Sequence, residues 1–351
     1  MQTARPVAGL HILRFLAALT VVVYHSAFYV AGQVPTAPTI SPAAGDAGVW
    51  LFFSISGFVM VFVLDRDPAR SWRRFAVQRV IRIVPLYWAM TAVAAVSVAV
   101  GTRLVPTTTL DAGVVLRSLF FLPSENPDGL IQPLWPVGWT LVFEMAFYAL
   151  VTLSRALRVD PIVFCAPILL AAAAASAVRP DHGAVGWFYA DPVVLFFLAG
   201  MLVARSRRLG LPRTVAVLLA LATVFATTRS LRHDVVDLGS AAVFLALTGL
   251  LLAVVLAEPW IGSRVPRVLV TLGSASYSLY LTHPLVGPIV TVGLITLLPA
   301  GFPPLLGIVA SVTVSVLAGL VVFRWVEQPL ARVLGRSTST RAGSGRRSAT
   351  V

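Results

Sequence analysis

Residues 45–64 read GDAGVWLFFSISGFVMVFVL, an apolar run whose one charged residue, Asp46, lies near its beginning. A helix of this length rises about 30 Å, the thickness of the hydrocarbon layer of a membrane. The apolar residues are continuous and do not alternate with polar ones, which favours a helix over a strand of a membrane barrel. The stretch therefore predicts a membrane-spanning helix.

Nine further apolar stretches share this pattern, in a chain that is 58% hydrophobic and only 12% charged. Soluble domains carry about twice that share of charged residues. We therefore predict an all-α, polytopic integral membrane protein with about ten transmembrane helices. The predicted spans are 6–29, 45–64, 80–100, 137–153, 161–178, 187–204, 211–227, 237–257, 274–298 and 303–323.

All 27 basic residues are arginine, and their distribution predicts the orientation of the spans. If the N-terminus is cytoplasmic and the spans alternate, 22 arginines lie on the cytoplasmic side and 5 on the other. Such an excess is typical of the cytoplasmic side. We therefore predict cytoplasmic termini in the cytoplasmic (plasma) membrane of a bacterium, and we attribute the net charge of +13 to topology within the lipid bilayer rather than to nucleic acid.

The composition also limits the domain organisation and the chemistry. Residues 1–335 are predicted to form one membrane domain, followed by a disordered basic tail, residues 336–351. Pro329 is expected to end the last helix. The absence of lysine excludes a P-loop and a Schiff-base enzyme, and the single Cys165 excludes an internal disulfide or a thiolate zinc site. No cluster of metal ligands is evident, so we expect no metal.

Arg14 and His25 lie within the first predicted span, where ionisable residues are costly and are therefore candidates for function. Eleven residues correspond to about three helical turns, which places both side chains on one face, about 16 Å apart along the axis. That geometry suits a substrate with an anionic end and a distant reactive end. A snorkelling arginine and an interfacial histidine would also account for the pair.

Six arginines lie between residues 66 and 82, and Arg79 and Arg82 share one helical face at a spacing of three. Together with Arg73 and Arg74 they could bind the pyrophosphate of a nucleotide-like cofactor. The orientation of the protein in the membrane would explain the same charges.

Glu144 is the only carboxylate deep inside a span by these boundaries, with Trp139 and Tyr148 nearby in sequence. It is either the partner of an intramembrane arginine or part of a site. A later segment adds Ser276, Tyr277 and a second intramembrane histidine, His283.

In combination these motifs resemble the membrane acyltransferase-3 family, and within it the exopolysaccharide O-acetyltransferase branch. They occur in family order and extend over nearly the whole chain. The matching segments are Arg14-x10-His25, Gly48–Phe58, Arg79-x-x-Arg82 with Pro85 and Tyr87-Trp88, Gly138-Trp139-Thr140-Leu141 with Glu144 and Tyr148, Phe197–Met201, and Ser276–Pro284. Trp50 stands where the family often has an acidic residue, and Asp46 is a candidate to occupy similar space.

The resemblance implies transfer of an acyl group, most simply acetyl, from cytoplasmic acyl-CoA to a hydroxyl of a glycan, glycolipid or macrolide-type acceptor. No permanently bound cofactor is expected. His25 would be the general base or acyl carrier, with Arg14 as its motif partner and Glu144 orienting it. Arg79, Arg82, Arg73 and Arg74 would bind the donor. The acceptor pocket would comprise Trp139, Tyr148, Ser276, Tyr277, His283 and Asp46.

A different class of protein fits some of the same residues. Arg14, His25, Glu144 and His283 could form the polar relay of a transporter or exporter of a glycan, lipid or organic acid. No inverted repeat is visible in the sequence, which counts against that alternative.

Overall fold

The computed structural model describes residues 7–102, 110–126, 129–180, 185–233, 238–297 and 303–334. Within these ranges the regular structure is helical, without a β-strand, as expected. The predicted tail, 336–351, lies outside them. The helices are α1 (Ala8–Ala31), α2 (Pro42–Arg66), α3 (Trp72–Ala99), α4 (Ala112–Leu119), α5 (Trp139–Ala156), α6 (Pro161–Ala175), α7 (Leu195–Ala204), α8 (Ser206–Leu209), α9 (Leu211–His233), α10 (Leu238–Ile261), α11 (Arg267–Ser274), α12 (Ser276–Leu297) and α13 (Pro304–Val322).

Ten helical segments of the described chain are long and apolar enough to cross a membrane, which confirms the predicted number. They correspond to α1, α2, α3, α5, α6, α7, α9, α10, α12 and α13, and each overlaps one predicted span. Short turns lengthen α5 and α7 at their N-terminal ends. The protein is therefore a multi-pass membrane protein by length and composition of its helices.

The predicted end of the last helix at Pro329 is wrong. After α13 the chain forms a π-helical turn, Phe323–Glu327, and then continues as a helix to Leu334. Local π-type bonding accommodates the N–H group that a proline lacks. The longer helix brings Glu327 inside the bundle. Glu144 is therefore not the only carboxylate within the membrane-spanning helices.

α2 and α7 pack closely because each contributes a glycine where the two backbones meet. A Cβ atom on Gly57 would overlap the carbonyl group of Phe197, and one on Gly200 would overlap that of Ser54. Small residues at such crossings let membrane helices approach until their backbones touch. Phe53 lies beside this contact and stacks on Phe197 with ring centroids 4.4 Å apart.

α1 lies at the centre of the helices that form the site, packed mainly against α2 and α10 to α13. Its first turn has no capping side chain of its own. Glu258, near the end of α10, supplies one by accepting hydrogen bonds from the backbone N–H groups of Ala8 (2.6 Å) and Gly9 (2.9 Å). A carboxylate at this position satisfies unpaired N–H groups and complements the helix dipole.

Arg205, directly after α7, joins the ends of three helices. It donates to Asp65 of α2 at 2.8 and 2.9 Å and to Asp160, which precedes α6, at 2.8 Å. Partial burial opposes ionisation of Asp160, but the hydrogen bond and charge of Arg205, with the backbone N–H groups of Ile162 and Val163, outweigh it and hold the pKa of Asp160 below its usual value. The cluster fixes α2, α6 and α7 at one end of the bundle.

Candidate active site

The segment 276–283 of α12 contacts helices on several sides. Successive residues of a helix point about 100° apart, so neighbouring side chains of this segment reach different neighbours. The contacts are Arg14 Nε to Ser276 Oγ at 3.2 Å, Tyr277 Oη to the Ile83 carbonyl at 2.7 Å, Ser278 Oγ to Glu327 Oε2 at 2.5 Å, Tyr280 Oη to the Val137 carbonyl at 3.0 Å, and His283 Nε2 to His25 Nδ1 at 3.3 Å.

Arg14 and His25 lie on one face of α1, as their spacing predicts. Both contact α12, Arg14 through Ser276 and His25 through His283. Because Ser276 precedes His283 in the same way that Arg14 precedes His25, α1 and α12 run in the same direction here. Two separate cavities open beside these two residues.

The first cavity, here called the arginine cavity, contains three of the predicted arginines. Arg14, Arg79 and Arg82 line it together with Glu144 and Tyr148. Further lining residues include Val49, Phe52, Ser56, Ile83, Thr140, Tyr277 and Tyr280. A cavity with three guanidinium groups and one lining carboxylate is suited to an anion.

Glu144 belongs to the arginine cavity. Its carboxylate accepts hydrogen bonds from Ser56 Oγ at 2.6 Å and from the hydroxyl of Tyr148, and it acts electrostatically on Arg14. Among the described residues, neither a hydrogen bond nor an ion pair joins Glu144 to His25, so the expected contact between them is missing. The two residues line different cavities, which is the physical reason.

The four arginines of the predicted donor-binding group divide into two pairs. Arg79 lies over the ring of Tyr148 at 5.9 Å, and its Nε is buried without a hydrogen-bond partner in the described part of the chain. Within the same ranges, Arg82 makes no hydrogen bond or ion pair. Arg73 and Arg74 are exposed at the start of α3 and do not line the cavity. Of these four arginines, only Arg79 and Arg82 can contact a ligand in the arginine cavity.

The second cavity, here called the histidine cavity, is lined by His25, Tyr24, Asp46, Trp139 and Gln132, with Tyr280 and other residues. Asp46 thus reaches the cavity of His25 from α2. Trp50, one turn further along α2, points elsewhere and stacks on Phe196 with centroids 5.3 Å apart.

Tyr280 and Val49 line both cavities and separate them. The Tyr280 hydroxyl reaches across to the beginning of α5, where it donates to the carbonyl of Val137 and lies 2.9 Å from Thr140 Oγ1. The Tyr280 ring contacts Phe52 and His283 at centroid distances of 5.9 Å each. Tyr280, anchored at its hydroxyl end and packed on its ring, therefore forms part of the wall that the two cavities share.

The residues predicted for the acceptor pocket do not all meet. Trp139 and Asp46 line the histidine cavity, whereas Tyr148 and Tyr277 line the arginine cavity. Ser276 bonds Arg14, as described above, and His283 lies behind His25.

Sequence reasoning missed Ser56, Thr140 and Glu327 as residues of the site, and it did not foresee the partners of the Tyr280 hydroxyl. Tyr280 and Thr140 lie inside motifs that were recognised, but nothing in their spacing shows that they bond each other. Glu327 could have been found only if the last predicted helix, 303–323, had been extended past Pro329.

Comparison with known proteins identifies the family. Residues 7–324 match the acyltransferase domain of acyltransferase family 3. The chain belongs to this family. It is therefore a membrane acyltransferase, in agreement with the resemblance seen in its motifs.

Two relatives of this acyltransferase are similar over nearly their whole length. The exopolysaccharide production protein ExoZ of Rhizobium meliloti (strain 1021) is 35% identical over 320 residues, covering 87% of this chain and 95% of ExoZ. The acyltransferase MdmB of Streptomyces mycarofaciens is 28% identical over 366 residues, covering 92% of this chain and 91% of MdmB. No solved structure shows significant similarity to the chain.

Proposed function

We propose that this acyltransferase moves an acyl group, most simply acetyl, from cytoplasmic acyl-CoA to a hydroxyl of a glycan or related acceptor. The observation that carries the proposal is the pair of cavities, one with Arg14, Arg79 and Arg82 and one with His25, which meet at Tyr280. The similarity of this chain to ExoZ, which is named an exopolysaccharide production protein, supports a glycan acceptor.

The arginine cavity is the proposed donor site. The distribution of arginines along the chain favours a bacterial plasma membrane with both termini cytoplasmic, which turns the N-terminal end of α1 and this cavity towards the cytoplasm. The donor phosphates would bind Arg79 and Arg82. Among the described residues, Arg79 Nε and the side chain of Arg82 have no hydrogen-bond partner. The pantetheine arm would pass Arg14 towards Tyr280, with residues 1–335 acting as one acyltransferase domain.

Glu144 has a different proposed role from the one first expected. It neutralises part of the positive charge of Arg14 and Arg79, on both of which it acts electrostatically. Ser56 and Tyr148 hold its carboxylate in place through the hydrogen bonds described above. Its contribution is therefore to the charge of the donor site rather than to the basicity of His25.

The histidine cavity is the proposed site of reaction with the acceptor. His25 removes the proton from the acceptor hydroxyl, whose oxygen attacks the thioester carbonyl carbon. The new C–O bond forms as the C–S bond breaks, and the thiolate leaving group takes the proton from His25. The products are an ester and free CoA. Asp46 and Trp139 would contact the acceptor in this cavity.

A covalent course uses the same residue. His25 Nε2 would first attack the thioester carbonyl and take the acyl group as the C–S bond breaks and CoA leaves as the thiolate. The acceptor hydroxyl would then take the acyl group, and its proton would pass through His25 to the thiolate. Rapid mixing of the enzyme with donor, without acceptor, distinguishes the two courses, because only the second releases a burst of about one CoA thiol per enzyme.

Purified protein in liposomes, labelled acetyl-CoA and exopolysaccharide fragments test the proposal. His25→Ala should lower transfer at least about 100-fold, the usual contribution of a general base. His11→Gln, on the same helix but outside both cavities, should transfer at a rate close to wild type. Transfer by His25→Ala at the wild-type rate would refute the proposal. So would uptake that depends on an ion gradient and gives no covalent product, the behaviour of the transporter alternative.

A further inference from the structure

His25 and His283 form a pair of imidazoles inside the helix bundle. His283 Nε2 lies 3.3 Å from His25 Nδ1, and the ring centroids are 4.9 Å apart. His25 lines the histidine cavity, whereas His283 is 1% exposed and lies behind it. The two rings therefore differ in access: only His25 can meet a substrate there.

The backbone carbonyl of Val21 decides which nitrogen of His25 carries the proton. It lies 3.0 Å from His25 Nδ1. A carbonyl oxygen can only accept a hydrogen bond, so Nδ1 must carry the proton and Nε2 must carry the lone pair. A lone pair on Nδ1 would instead face the carbonyl lone pairs at that distance.

The proton on His25 Nδ1 in turn fixes His283. Because His283 Nε2 faces an N–H group, it must accept, and the proton of a neutral His283 then lies on its Nδ1. Pro284 has no N–H group, so it leaves the carbonyl of Tyr280, one turn earlier, without its usual helical donor. His283 Nδ1 itself is buried and has no hydrogen-bond partner among the described residues.

The groups around the two rings leave the position beside His25 Nδ1 to His283. The Tyr24 and Tyr29 rings lie 4.9 and 6.0 Å from the His25 ring, and the Tyr280 ring lies 5.9 Å from that of His283. Asp46 lines the same cavity as His25. Among the described residues no carboxylate bonds either ring, so His283 takes the position beside His25 that an acidic residue often occupies next to a catalytic histidine.

We infer that His283 is a positioning residue for the proposed acyl transfer: its Nε2 shares the Nδ1–H of His25 with the Val21 carbonyl and holds the His25 ring so that Nε2 of His25 is free to act on the acceptor. This inference rests on the proposed function. When Nε2 takes the hydroxyl proton, Nδ1–H continues to donate to Val21 and His283, and the neutral imidazole stabilises the cation. When Nε2 releases that proton to the leaving thiolate, both rings return to their starting state.

Two substitutions separate hydrogen bonding from packing. His283→Gln keeps an acceptor, because its amide oxygen can face His25 Nδ1–H, whereas His283→Leu fills similar space with no acceptor. We expect the Leu variant to lower kcat about 10- to 100-fold, as loss of an orienting partner usually does, with the donor KM nearly unchanged. The Gln variant should recover most of that loss. Packing alone would favour Leu over Gln, and that order, or equal activity of both with wild type, would overturn the inference.

Nitrogen NMR of the protein labelled with 15N-histidine gives a readout that does not depend on activity. His25→Gln and His283→Gln identify the signals of the two rings among the five histidines. Both rings should carry the proton on Nδ1, with Nε2 unprotonated, and His25 Nδ1 should correlate with His283 Nε2 through the shared proton. A proton on His283 Nε2 in the wild type would overturn the inference. If the NMR result is as expected and no acyl transfer occurs, the proposed function is refuted and the pairing is not.

Discussion

Replacing Arg82 by Gln should weaken binding of the acyl-CoA donor without affecting folding. Arg82 lines the arginine cavity and makes no hydrogen bond or ion pair within the described residues, so its loss disrupts no bond described for the protein. A hydrogen bond to a charged group contributes about 1.5–3 kcal/mol, which corresponds to a donor KM about 10- to 150-fold higher. Arg79→Gln should have a similar effect, with an added loss because its guanidinium packs on Tyr148.

Helix α3, which contains Arg79 and Arg82, also supplies the matched controls. Arg73 and Arg74 carry the same charge on α3 but are exposed and outside the cavity. Arg73→Gln and Arg74→Gln should leave the donor KM within about threefold of wild type, because exposed charges contribute little. Initial rates over a range of acetyl-CoA concentrations, at a fixed saturating concentration of acceptor, measure all four variants.

Two results would refute this reasoning. If Arg73→Gln raises the donor KM as much as Arg82→Gln, the donor binds the surface arginines and not the cavity. If Arg82→Gln lowers kcat and leaves KM unchanged, Arg82 acts on the transition state rather than on donor binding.

Three further predictions concern packing, capping and the separation of the cavities. Gly57→Val should lower the yield of folded protein in mild detergent, because its side chain would overlap the α7 backbone, whereas Gly249→Val, with open space around it, should not. Glu258→Ala should lower the free energy of unfolding by about 1–2 kcal/mol through loss of the α1 cap, measured as a lower melting temperature. Tyr280→Ala should raise acyl-CoA hydrolysis in the absence of acceptor, measured as thiol release, because it opens a path for water between the cavities.

Each of these has an outcome that contradicts it. Equal yields of the two glycine variants would mean that α2 and α7 can separate without loss of the fold. A Glu258→Ala protein as stable as wild type would show that water or lipid satisfies the first turn of α1 equally well. Unchanged thiol release from Tyr280→Ala would place the barrier to water elsewhere.

The spans and the shared face of Arg14 and His25 could be predicted because they depend only on local sequence. Hydropathy and the helical repeat determine both, and neither requires knowledge of which helices are neighbours. The placement of Arg79 and Arg82 together followed from the same repeat.

The partners of the site residues could not be predicted in this way. Ser56 and Glu144 are 88 residues apart, and Thr140 and Tyr280 are 140 apart. Their contacts depend on the arrangement of the helices, which hydropathy does not encode. Glu327 lies beyond the last predicted span, 303–323, and the π-helical turn lets the helix continue past it.

The central position of α1 has a consequence for the biosynthesis of the protein. α1 is made before α10 to α13, which form most of its surroundings, and more than 200 residues separate Ala31 from Leu238. At about 5–20 residues per second the ribosome needs about 10–40 s to cross that interval. Throughout it, Arg14 and His25 lie in the membrane without Ser276 and His283. The nascent chain therefore depends on lipid, water or the insertion machinery to solvate these two side chains, and the enzyme can become active only after α12 has been inserted.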